Sequence, residues 1–162
     1  MSEIFPNLIE DGLFAAIAAI GFSSISSTPR RTYLVCALAA AVGHAVRYAL
    51  MTSAVGMGII PASTLAALVV GVVAVMSAPM VKCPAEVCLF PALLPMIPGM
   101  YAYRTVEALL GCLNDAGEEV FGHYMYLLAY NGLTCTFIIL GMVIGANIPI
   151  FVFKKISFQA TR

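Results

Sequence analysis

Five long apolar stretches, near residues 8–25, 33–52, 57–79, 87–110 and 124–153, set the terms for this chain. Each approaches or exceeds the roughly 20 residues that an α-helix needs to cross hydrocarbon. Only 10% of the residues are charged, while 62% are hydrophobic. An ordinary soluble domain carries roughly 25% charge, so a soluble chain could not cover this much apolar surface. Transmembrane β-strands would alternate polar and apolar residues over about 10 positions, and no such alternation occurs. The expected fold is all-α: a polytopic bundle of about five transmembrane helices, forming a single transmembrane domain over residues 1–162 with short loops.

The ends and loops bear on topology. Glu3, Glu10 and Asp11 precede or open the first stretch, where a signal peptide would place Lys or Arg, so this stretch is expected to remain in the mature protein. Arg30 and Arg31 lie in the first loop, Lys82 in the third, and Lys154, Lys155 and Arg162 follow the last span. The second loop, near Met51–Gly58, is uncharged, and the fourth carries Asp115, Glu118 and Glu119. Basic loops are retained on the cytoplasmic side. The alternation predicts a multi-pass membrane protein with its amino terminus outside and its carboxyl terminus in the cytoplasm. No block of basic residues suggests a nucleic-acid partner. The five cysteines, Cys36, Cys83, Cys88, Cys112 and Cys135, follow no metal-ligand or CxxC spacing and read as small buried apolar residues. No metal or other cofactor is expected.

The fourth stretch contains FPALLPMIPGMYAYR over Phe90–Arg104. Each proline in a helix interior deletes a backbone hydrogen bond and clashes with the preceding turn, at about 3 kcal/mol or more. In hydrocarbon the freed carbonyls must find partners in protein or in a water-lined cavity. The pattern predicts a fourth helix broken at Pro95–Gly99, near mid-membrane, with Pro98 at the start of a second half-helix. The N-terminal N–H groups of that half-helix make a candidate anion site. The competing reading is a proline kink that serves packing alone.

Ionisable residues within spans are functional candidates because their burial is costly. Arg47 lies about 21 Å along the second helix and Arg104 about 25 Å along the fourth, at 1.5 Å per residue. His44 stands one turn from Arg47 on the same face, and Glu107 one turn beyond Arg104, where it can pair with it. The competing reading for the arginines is interfacial anchoring, with Tyr101 and Tyr103 in an aromatic belt. Two arginines near a half-helix N-terminus favour a small carboxylate as cargo. Arg47, Pro95, Pro98, Gly99 and Arg104 form the candidate substrate site, and His44 and Glu107 are candidates for a proton or ion-pair role. Asn131 reads as interhelical glue.

Small residues crowd Ala15–Ala19, Ala37–Gly43 and Ala66–Gly71, which suits close helix approach where lipid supplies no hydrophobic drive. Gly141 and Gly145 form a GxxxG pair, open to a subunit contact or to packing within the chain. Five thin helices enclose a permeation path poorly, so a homo-oligomer or hetero-oligomer is expected.

Thr28-Pro29-Arg30-Arg31, the Gly43 to Arg47 segment, Ala66-Ala67-Leu68-Val69-Val70-Gly71, and Leu94-Pro95-Met96-Ile97-Pro98-Gly99 with Tyr103-Arg104 occur here in order. Together they resemble the threonine/serine exporter family in its short membrane-only module, over roughly residues 20–110, and that resemblance implies Pro95, Pro98, Gly99, Tyr103 and Arg104 as substrate-site residues. That form is similar to the small subunit of a two-component succinate exporter of bacterial inner membranes. The resemblance implies a subunit of a secondary-active exporter for a threonine/serine-type amino acid or a succinate-type dicarboxylate. It also implies a separately encoded larger membrane subunit as partner, because the other module is missing here. The alternative is a non-transporting membrane scaffold or assembly subunit. An enzyme is not expected: no HExxH, GxSxG or intramembrane carboxylate pair is present, and no P-loop supplies ATP.

Overall fold

In the computed structural model the described residues are 4–52, 56–114 and 117–158, so Glu3, Asp115 and Arg162 lie outside them. Every regular element among them is helical. Helix α1 spans Ile4–Ile25, and a 3-10 turn at Arg30–Thr32 leads into α2, Tyr33–Thr52. Helix α3 covers Ile59–Val81 and α4 covers Ala85–Leu93, continuing into a 3-10 turn at Leu94–Met96. Then follow α5, Gly99–Leu113, α6, Glu118–Val152, and the short α7, Lys154–Phe158. Four helices are long and apolar enough to cross a membrane, and a fifth span arises if Ala85–Met96 and Gly99–Leu113 are taken as one bent pair. The expected all-helical membrane bundle with a broken fourth span is the architecture observed.

The chain forms two compact units: Met1–Met96 with Gly141–Arg162, and Ile97–Leu140. In the first, α2 is the central helix, packed against α1, α3 and α4. Its interior is built largely from small residues. Ala19, Ala39, Ala40, Ala62, Ala66, Ala67, Ala74, Ala78, Ala85 and Ala92 are all fully buried. Large apolar side chains such as Phe14, Ile17, Leu34, Leu38, Met76 and Met80 face outward. This inverts the arrangement of a soluble protein and suits a lipid surround, where helices associate through close backbone approach.

The GxxxG pair packs within the chain. A Cβ on Gly141 would strike the Thr64 hydroxyl, and one on Gly145 would strike the Thr64 carbonyl oxygen. Further along, a Cβ on Gly71 would lie 2.5 Å from the Ala146 carbonyl oxygen and 3.1 Å from Pro149 Cγ. Contacts advance in the same direction on both helices, so the last part of α6 runs parallel to α3. Helix α7 accordingly packs on α3, near the end of α3 that carries Lys82. There Lys82 adopts a left-handed conformation, φ 49°, as the C-cap of α3. Its carbonyl accepts a 3.0 Å hydrogen bond from Arg31 Nη2. Arg31, Lys82, Lys154 and Lys155 thus gather at one end of this unit.

Replacing Gly145 with Ala is expected to destabilise the protein by about 1–3 kcal/mol, since backbone rather than a movable side chain blocks the added methyl. Gly21, with nothing within 4 Å of a Cβ, should accept Ala with no loss, because Ala is the better helix former. Thermal unfolding in detergent, read by fluorescence or circular dichroism, checks the contrast.

Candidate functional site

The break follows directly from proline spacing. Pro91, Pro95 and Pro98 supply no N–H, so the carbonyls of Val87, Pro91 and Leu94 lose their i+4 donors. The chain responds by tightening into the 3-10 turn at Leu94–Met96 and leaving helical geometry at Ile97–Pro98. Pro98, at φ −77° and ψ 62°, is the N-cap of α5. Its carbonyl accepts 3.1 Å bonds from the N–H groups of Tyr101 and Ala102. A Cβ on Gly99 would meet nothing within 4 Å, so no steric need fixes glycine there.

On the α4 side of the break, in the first unit, a polar cluster forms inside the alanine-rich interior. Arg47 Nη1 donates to the Met96 carbonyl at 3.3 Å, satisfying an acceptor at the negative end of the α4 segment. Its other terminal nitrogen, Nη2, stands 3.4 Å from His44 Nδ1. The same Nδ1 lies 3.1 Å from Asp11 Oδ2. The imidazole is nearly enclosed, its side chain 7% exposed, whereas that of Asp11 is 38% exposed. His44 Nε2 is buried and has no hydrogen-bond partner; the Pro95 backbone is a polar neighbour of the ring but completes no bond with that nitrogen. The cluster is held close by Gly43, where a Cβ would strike Val70 Cγ2 and approach Met96 Sδ to 3.2 Å.

Asp11 is the member that sequence reasoning missed as a site residue. By sequence it lies among the charges at the mouth of the first span, but α1 begins at Ile4 and carries it inside the helix. The signal was present: Asp11, Ala15, Ala19 and Ser23 recur every four residues, and the last three are buried. Glu10, one position away, is exposed.

The second unit holds a cleft of about 350 Å³ lined by Arg104, Glu107, Tyr124, Tyr130 and Asn131. Arg104 and Glu107 sit one turn apart on α5, and the other three project from α6. They do not form the ion pair that their spacing allowed: the ion pair found among the described residues is Asp11–His44. Both side chains are exposed. Asn131 is buried and donates through Nδ2 to the Leu127 carbonyl at 2.8 Å, so its side-chain oxygen is left as an acceptor. Tyr103 is 63% exposed and is not among the residues lining this cleft. The structure therefore groups His44 and Arg47 with Asp11 around Pro95 and Met96, and Arg104 with Glu107 in the cleft, with Pro98 and Gly99 opening α5.

A polytopic helical membrane protein with a broken span and charged groups beside the break belongs architecturally with small-solute transporters. The family model described as Threonine/Serine exporter, ThrE matches residues 11–152. The chain belongs to that family, and a threonine/serine exporter-type role in membrane transport follows from membership. No solved structure matches it.

Arg47→Ala should cost about 1–3 kcal/mol of stability, because it strands the Met96 carbonyl in a water-poor interior. A fall in the midpoint of thermal unfolding, absent in Arg30→Ala at the exposed loop, checks it.

Proposed function

We propose that this chain is the small membrane subunit of a secondary-active exporter. It moves a small carboxylate across the bacterial inner membrane together with a separately encoded larger subunit of the same family. The observation that carries the reading is the cleft with Arg104 on one side and Glu107 one turn away. A guanidinium offers a carboxylate two parallel N–H donors, and Glu107 faces the same space with an acceptor for an ammonium group. The Asn131 side-chain oxygen and the phenols of Tyr124 and Tyr130 add neutral partners for a hydroxyl. That set complements a zwitterionic hydroxy-amino acid of the threonine or serine type. A dicarboxylate such as succinate meets repulsion from Glu107 at its second charge.

Clustering of Arg31, Lys82, Lys154 and Lys155 at one end of the first unit supports a cytoplasmic placement for that end under the positive-inside rule. The amino terminus is then outside and the carboxyl terminus inside. An ion gradient as the driving force and a partner to complete the path belong to this reading.

Cells lacking their own exporters, preloaded with labelled threonine, serine or succinate, test this directly. Efflux is expected only when the chain is expressed with its larger partner, and threonine or serine should leave faster than succinate. Arg104→Ala should reduce threonine efflux by about tenfold or more, equivalent to about 1.4 kcal/mol, with assembly retained by co-purification. Glu107→Gln should shift the preference toward succinate. Efflux unaffected by Arg104→Ala would favour a scaffold role, and efflux from the chain alone would remove the partner requirement.

A further inference from the structure

His44 Nδ1 faces two neighbours that make opposite demands on it. Asp11 Oδ2, at 3.1 Å, is an acceptor when ionised and calls for a hydrogen on Nδ1. Arg47 Nη2, at 3.4 Å, is a donor and calls for a lone pair there. One nitrogen cannot meet both demands at once, so the position of a single proton decides which bond exists. We propose that Asp11 and His44 form a proton-binding site, and that Arg47 conveys its occupancy to the Met96 carbonyl at the helix break. The transport half of this proposal rests on the exporter reading above; the proton site itself does not.

The two states balance as follows. With the proton bound, the imidazolium donates through Nδ1–H to the Asp11 carboxylate and carries its second hydrogen on Nε2. Arg47 then faces a like charge and keeps only the Met96 carbonyl. When one proton leaves, the remaining hydrogen resides on Nε2, the Nδ1 lone pair accepts from Arg47 Nη2, and Asp11 turns to water. Access is asymmetric: the imidazole is enclosed, while Asp11, at 38% side-chain exposure, is the open end through which a proton enters or leaves. The hydrogen that both states place on Nε2 is buried, beside the Pro95 backbone.

The surroundings contain little else that titrates. Helix α1 adds only Glu10, exposed beside Asp11, and α2 adds Tyr48, half-buried one turn beyond His44. Helix α3 carries no ionisable side chain in Ile59–Val81. On α4, Glu86 is exposed and Cys88 buried, with Glu86 about 15 Å along the helix from Met96. Asp11, His44 and Arg47 therefore dominate their own electrostatics.

The chain has two histidines, so nitrogen-15 NMR of labelled imidazoles resolves His44 once His123→Gln removes the other signal. In the full chain, His44 Nδ1 is expected to gain and lose its hydrogen across a series of acidic to alkaline pH values, and Asp11→Asn should displace that transition. A single unchanging tautomer over this range, or a transition indifferent to Asp11→Asn, would overturn the proton site. In vesicles containing the chain and its partner, threonine flux driven by an imposed pH gradient should fall about tenfold in Asp11→Asn. It should stay at the wild-type level in His123→Gln. Gradient-driven flux equal to wild type in Asp11→Asn would overturn the coupling. Absence of flux in the wild type would instead count against the exporter reading, leaving the NMR result to decide the site.

Discussion

A carbonyl without a donor inside hydrocarbon is the constraint from which the rest of this structure follows. Pro95 and Pro98 interrupt the fourth span, and the helix end they create leaves carbonyls that must find donors. The Met96 carbonyl is met by Arg47 Nη1 at 3.3 Å. Bringing a guanidinium to that point is itself costly, and it is tolerable only in the company of an opposite charge. Asp11 supplies the negative charge, with His44 between them. The ion pair, the imidazole and the break are thus one chain of compensation: each polar group is present because its neighbour would otherwise be unsatisfied.

That cluster needs helices close enough to share hydrogen bonds, which explains the alanine interior. Gly43 admits Val70 and Met96 beside the imidazole, and fully buried Ala39 and Ala40 lie on the same helix. Larger side chains would separate α2 from the α4 segment by more than a hydrogen-bond length. Bulk is exported instead to the outward faces, where Leu, Ile, Phe and Met meet lipid at no cost. Small residues therefore serve the site as well as the packing.

Much of this was legible in the sequence, and unevenly so. Long apolar runs fix helices because length and hydropathy are properties of one segment, and the break was readable because proline acts on its own backbone. Pairing between segments is different. Arg47 and His44 stood out on one helix, but their partner on α1 is separated from His44 by 33 positions, and only the four-residue recurrence from Asp11 to Ser23 hinted at it. The opposite error arose at Arg104 and Glu107, where helical spacing permitted a pair that two exposed side chains do not form. The GxxxG motif shows the same limit: its spacing announces a close contact, while the identity of the contacting helix, here α3 through Thr64, depends on the fold.

The double duty of Arg47 can be settled by counting donors. A guanidinium carries five N–H groups in a fixed fork. One goes to Met96 and one points at His44, so holding the break does not exhaust it. The group is also only half-buried, which leaves its free edge open to water. A lysine in its place would offer one strongly hydrated point charge with three rotatable donors, without the fixed spacing of the fork. Structural repair of the break and response to a proton on His44 therefore do not compete for this residue. They use different nitrogens of one rigid plane, and the rigidity of that plane is what makes a change at one end felt at the other.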